Sequence, residues 1–278
     1  MSRLAALEEW MRNLDEALAA DDVSGIVAAM QSQVTEHAGT APAKVKQAAI
    51  RRISRHYSGN PERGYGMAIR LCQSGNWTAE EVGAALLAPC YEVHPSDVAN
   101  MLETLADSSN WEVREWAASA CGAVLADHFD AFYPALVTFA HHPSENIRRA
   151  AVLAAMYAGQ SRNPTFANPL LDLLEILIAD PSKYVRDNLG PFAIGSSLIQ
   201  CYPDKVIQRM QEWVQREDEQ VRWNVAMVFS AAAGASYAPD APEVFRILRQ
   251  DKRTSVQKAV AKATKAIQKK FPDWSLSE

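Results

Sequence analysis

The run NWEVREWAASACGAVL, residues 110–125, sets two tryptophans and two glutamates around a single arginine at the head of an otherwise small and apolar helix. Aromatic faces attract cations and carboxylates stabilise positive charge, so Trp111, Glu115 and Trp116 are types that could line a site together. Simpler roles also fit them. Tryptophans five apart point in different directions from one helix, so Trp116 can fill a seam while Trp111 stays accessible. Glu115 is an acid close to the positive end of a helix dipole. Val113 and Arg114, lying between them, have a third reading as a repeated structural joint.

A branched apolar residue followed by arginine recurs as Val113–Arg114, Ile147–Arg148, Val185–Arg186 and Val221–Arg222, with a degenerate Val256–Gln257 behind and Val45–Lys46 ahead. The arginines are 34, 38 and 36 residues apart and Gln257 follows after 35, a period of supersecondary size. Each unit has the same order of parts. A first helix opens on proline or an acid, as in HPSDVANMLETLA, YPALVTFA, NPLLDLLEILIA, YPDKVIQRMQEWV and APEVFRILR. A short polar turn follows, then the pair and an alanine-rich second helix such as IRRAAVLAAMYAG.

The expected class is all-α. Such αα-hairpins resemble HEAT-type repeats, and because one hairpin cannot bury both its faces they would stack into a right-handed α-solenoid with second helices on the concave side. A single repeat domain over 1–278 is expected, with capping helices in 1–40 (about 3–20 and 22–38), an irregular repeat over 41–78 and regular repeats over 79–270.

With 48% hydrophobic and 22% charged residues the chain can bury a substantial core. No uncharged apolar run approaches the 18 or so residues of a spanning helix, and the charged N-terminus does not read as a signal peptide, so a cytoplasmic location is expected, without membrane. Cys72, Cys90, Cys121 and Cys201 are scattered without a C-x-x-C pair and read as reduced, buried thiols. His141 and His142 are neighbours in a turn, which sends them apart; neither a metal nor an organic cofactor is indicated. Phosphate-loop, dinucleotide and nucleophile-elbow motifs are absent.

The net charge of −5 conceals segregation. Residues 44–70 carry Lys44, Lys46, Arg51, Arg52, Arg55, Arg63 and Arg70 against Glu62, and residues 249–270 carry eight bases against Asp251, whereas residues 78–130 hold ten acids and one base. Basic patches on an acidic chain can meet phosphate, although solvated helix faces account for the same composition.

The joint arginines are expected to form a ladder beside turn acids such as Asp107, Asp180 and Asp218. One residue further on, the chain places Glu115, Arg149, Asp187, Trp223 and Lys258, five chemistries at one register. A turn of about 100° per residue would move these from the seam toward the concave surface, where a partner could be read.

NWEVREW, ENIRRAAVL and LLDLLEILIADPSKYVRDN, with YPDKVIQRMQEW behind them, are similar in order to segments of the AlkC/AlkD superfamily of DNA alkylation-repair proteins. The resemblance covers about residues 95–225 and implies a HEAT-like solenoid that holds double-stranded DNA and cleaves the N-glycosidic bond of an alkylated purine. On that resemblance Trp111 and Trp116 would face the damaged nucleotide and Glu115 would stabilise positive charge on the sugar. Arg149 would contact the DNA, with Arg51, Arg52 and Arg55 among the bases on phosphates. The chain departs from the pattern at Pro191, Phe192 and Gly195 on the next second helix, and strict alignment sets the expected aspartate opposite Arg114. A non-catalytic interaction scaffold whose acidic middle recognises a basic protein partner, or a DNA-structure binder without catalysis, are the alternatives.

Overall fold

Residues 3–274 are described by a computed structural model, and among them there are helices and turns but no strand. Contacts divide the chain into two compact units, residues 1–132 and 133–278.

In the first unit the chain runs through α1 (Arg3–Ala19), α2 (Val23–Gln31), α3 (Ala43–His56), α4 (Pro61–Cys72), α5 (Trp77–Leu87), α6 (Pro95–Ala106) and α7 (Trp111–Asp127). Helices α2, α4 and α6 pack side by side in one layer and α3, α5 and α7 in the other. Asparagine starts three of these helices, because its side-chain oxygen satisfies an otherwise unpaired N–H: Asn60 accepts from Arg63, Asn76 from Ala79 and Asn110 from Glu112. The expected helix over 22–38 stops at Gln31. The chain then enters a loop in which Ala38 and Gly39 adopt φ of 54° and 67°, a left-handed conformation that no helix continues through.

The division between the units falls within α8 (Phe129–Ala140). That helix begins before the expected Tyr133–Pro134 start and carries Pro134 inside it, forfeiting one backbone bond.

In the second unit follow α9 (Glu145–Gly159), α10 (Ala167–Ile176), α11 (Lys183–Asn188), a π-helical segment (Leu189–Leu198), α12 (Ile199–Cys201), α13 (Pro203–Trp213), α14 (Glu219–Val228), α15 (Ala232–Ala235), α16 (Pro242–Gln250) and α17 (Thr254–Gln268). Helices α9, the π segment, α14 and α17 form one layer of neighbours, and α10, α13 and α16 the other. Pro191 forces the π turn: it has no N–H to give, and its ring would strike the carbonyl four residues back in an α-helix. Gly195 then lets the widened turn press on α14, where a Cβ would lie 2.4 Å from the Val228 carbonyl oxygen. The first members Val113, Ile147, Val185, Val221 and Val256 are buried, as a packed hairpin array requires, whereas at Val45–Lys46 it is the lysine that is buried and Val45 is half-buried. The fold class is thus all-α, of the α-solenoid kind, built from αα-hairpins at the period read from the sequence.

Candidate functional site

The ladder comes first, because it decides which cations are left for a partner. Arg114 donates to the Ser108 carbonyl (2.7 Å), Arg148 to His142 (3.0 Å) and Arg222 to Arg216 (2.8 Å), and Gln257 donates to Asp251; each acceptor lies six residues earlier. Gln257 therefore keeps the bond of the arginine it replaces. Two rungs also reach forward: Arg148 Nε lies 2.6 Å from Asp180, and Arg222 Nη1 lies 3.0 Å from Asp251. At the equivalent forward place Arg186 would meet Arg216, a like charge, and instead donates to Gln220 (3.1 Å) and lies 5.3 Å from the centre of the Trp223 ring. Asp218, expected in the ladder, caps α14 by accepting from the Val221 N–H at 3.0 Å.

The register after the ladder is spent unevenly. Arg149 is buried, 9% exposed, with its guanidinium 4.7 Å from the Tyr184 ring centre. Trp223 is half-buried under Arg186, and Asp187 is exposed and paired with Lys183 four residues back on α11. Glu115 is half-buried on α7, and Lys258 is exposed on α17.

Around Trp111 the structure assembles a group that the sequence reading reached only in part. Lys46 is buried at 1% exposure, with Nζ 2.7 Å from Glu81 and 2.6 Å from Glu112, and lies 5.2 Å from the centre of Trp116. Glu112 also lies 3.4 Å from His37, whose ring meets the exposed Trp111 edge-on at 5.5 Å. The loop carrying His37 is pinned: Asn110 donates to the Ala38 carbonyl (2.8 Å), Thr78 accepts from the Ala41 N–H (2.9 Å), and a Cβ on Gly39 would sit 3.1 Å from the Trp77 ring. Burial pushes the Glu81 carboxyl up to about 7, against the pull of Lys46. Glu81 is 0% exposed, so no outside substrate can reach it, and the group acts as an internal joint between α3, α5 and α7. A signal for it stood in the sequence: Asn76–Trp77 repeats Asn110–Trp111 at a step of 34, and Val45–Lys46 stands at the joint register one step earlier.

The basic stretch over 44–70 is largely committed inside the first unit. Arg52 pairs with Asp15, and Arg63 and Arg70 each lie 3.1 Å from Asp21, whose carboxyl Tyr57 and these arginines hold down at about 2. Arg51 and Arg55 are exposed. The stretch over 249–270 differs. Helix α17 buries Val256, Ala259, Val260, Ala263 and Ile267, contains no acid, and exposes Lys258, Lys262 and Lys265, which with Lys269 at its C-cap keep a 4–3–4 spacing that places them on one face.

Cys72 and Cys121 are buried, and burial raises both thiols to about 12, whereas Cys90 and Cys201 are partly exposed. Among the described residues no group of three or more His, Cys, Asp or Glu is arranged to hold a metal ion, and no helix is long and apolar enough to cross a membrane.

Residues 98–175 match the family model of HEAT repeats. None of the curated proteins compared with it matches this chain. Among solved structures it is similar to YibA of Escherichia coli, at 18% identity over 84% of this chain and 91% of that one, with a TM-score of 0.42. It is also similar to a designed armadillo repeat protein in complex with the peptide (KR)4, at 16% identity over 73% of this chain and 98% of that one, with a TM-score of 0.33. A set of computationally designed armadillo repeat proteins for modular peptide recognition matches at 15% identity over 91% of this chain and 98% of that chain, with a TM-score of 0.35.

Proposed function

We propose that this chain is a non-catalytic interaction scaffold that holds an acidic protein segment on the lysine face of α17. The observation that carries the reading is that face: four exposed lysines, evenly stepped, on a helix without a single acid. From Lys258 to Lys269 the helix rises about 16 Å, the span of about five residues of extended peptide. A protein that grips duplex DNA spreads many cations over phosphates of both strands. Here Lys46, Arg52, Arg63, Arg70, Arg148 and Arg222 are engaged with carboxylates of the same chain, and Arg149 lies buried against Tyr184.

Fluorescence anisotropy of a labelled acidic peptide, beside a labelled duplex and a duplex containing 7-methylguanine, tests this. The peptide should bind with a steep salt dependence, and Lys262→Glu with Lys265→Glu should weaken it at least tenfold. Tighter binding of plain duplex than of peptide would replace the reading with DNA recognition. Release of the methylated base would make the chain an enzyme.

A further inference from the structure

In the first unit a cavity of about 320 Å³ opens between the end of α3, the start of α4, the end of α5 and the turn that leads to α6. Its walls are mainly apolar, with Ile53 and Leu86 buried or nearly so, and Val93 is left 67% exposed. One wall is a fixed aromatic pair: the Tyr65 and His94 rings stack with centres 3.7 Å apart and planes within 10°. Both rings are held from behind, since the Tyr65 hydroxyl donates to Asp97 at 3.0 Å and His94 Nε2 lies 3.0 Å from Glu62. Glu62 is 71% exposed and is the only acid or strong base in the lining.

Ligand cavities run from about 300 to 1,000 Å³ and join an apolar body to a few placed polar groups. This one is at the small end, with room for one ring-sized group rather than a length of peptide. Glu62, beside His94, is the one carboxylate in the lining, so a ligand anion would be repelled and a cation held. A ring of aromatic carbon, already stacked, offers a second attraction to a cation.

We propose that this cavity binds a small apolar amine, its hydrocarbon body against Ile53, Leu86 and the Tyr65–His94 stack and its ammonium beside Glu62. The site is independent of the α17 lysine face and of the charge of any partner held there.

Calorimetric titration of the full chain with 2-phenylethylamine, 2-phenylethanol and 3-phenylpropionate tests it, since the three share a ring and differ in charge. The amine should bind at least tenfold more tightly than the carboxylate, with the alcohol between them. Glu62→Gln should weaken the amine about fivefold and leave the alcohol unchanged, as loss of one exposed ion pair predicts. Ser54 is exposed on α3 at the cavity wall, so Ser54→Trp should fill the mouth, keep the helical circular-dichroism signal and abolish amine binding. Equal affinity for amine and carboxylate, undiminished amine binding by Ser54→Trp, or no saturable amine binding to the unaltered chain would each overturn the proposal.

Discussion

Replacing Lys46 with methionine keeps an unbranched side chain, one atom shorter, and removes the ammonium that lies between two carboxylates. Glu81 is 0% exposed and Lys46 lies 2.7 Å from it, so the variant leaves a buried charge uncompensated, a loss of about 3–5 kcal/mol when the survivor stays ionised. Glu81 need not stay ionised. In the folded chain burial holds its carboxyl at about 7, above the ordinary 4.5, so folding retains a proton between those two pH values. The native contribution of that carboxyl is therefore full below pH 4.5 and is lost as pH rises through 7. Without Lys46 the carboxyl should rise further and escape the penalty by protonating. Urea unfolding followed by tryptophan fluorescence should then show Lys46→Met costing about 3 kcal/mol at pH 8 and about 1 kcal/mol at pH 5.5. Adding Glu81→Gln to Lys46→Met should recover much of the deficit at pH 8, because a neutral amide needs no counter-ion. A deficit identical at both pH values, or no recovery in the double variant, would refute the account of the cluster.

Two further outcomes follow from the joints. Arg148→Ala strips the guanidinium from Asp180, whose side chain is 5% exposed, and should lower stability by about 3 kcal/mol, whereas Gln257→Ala removes only a bond to a carbonyl and should cost under about 1 kcal/mol in the same denaturant titration. Gly195→Ala drives a Cβ to 2.4 Å from the Val228 carbonyl and should cost about 3 kcal/mol, while Gly66→Ala, in α4 with open space around it, should gain about 0.5–1 kcal/mol by thermal unfolding.

The repeat was legible because packing repeats with it. Val113, Ile147, Val185, Val221 and Val256 must all be buried at one place in each hairpin, so the same side-chain type returns at a nearly constant step. The π segment was not legible as such, although Gly190–Pro191 inside a helical pattern marks a place where α bonding cannot continue. The tryptophan site was half legible. Trp111 and Trp116 belong to one group of contacts, to which the fold also brings Lys46, Glu81 and Glu112. Lys46 and Glu112 are 66 residues apart, and no local spacing discloses a contact between helices two repeats distant. Arg149 shows the converse limit, since an arginine that reads as a groove cation lies buried against Tyr184.

The joint register draws recurring residues into packing. A dipeptide that buries its first member and bonds its second to the preceding turn is fixed by stability, and its neighbour one residue on still lies close enough to be drawn into the seam, as Arg149 and Trp223 are. Charge available to a partner must come from positions that the seam cannot use. On α17 the buried set is Val256, Ala259, Val260, Ala263 and Ile267, and the lysines occupy 258, 262, 265 and 269, the opposite side of the same helix. Charge reversal at the ladder therefore tests folding, and charge reversal at Lys262 and Lys265 tests recognition; only the second can lower affinity while the unfolding midpoint stays in place.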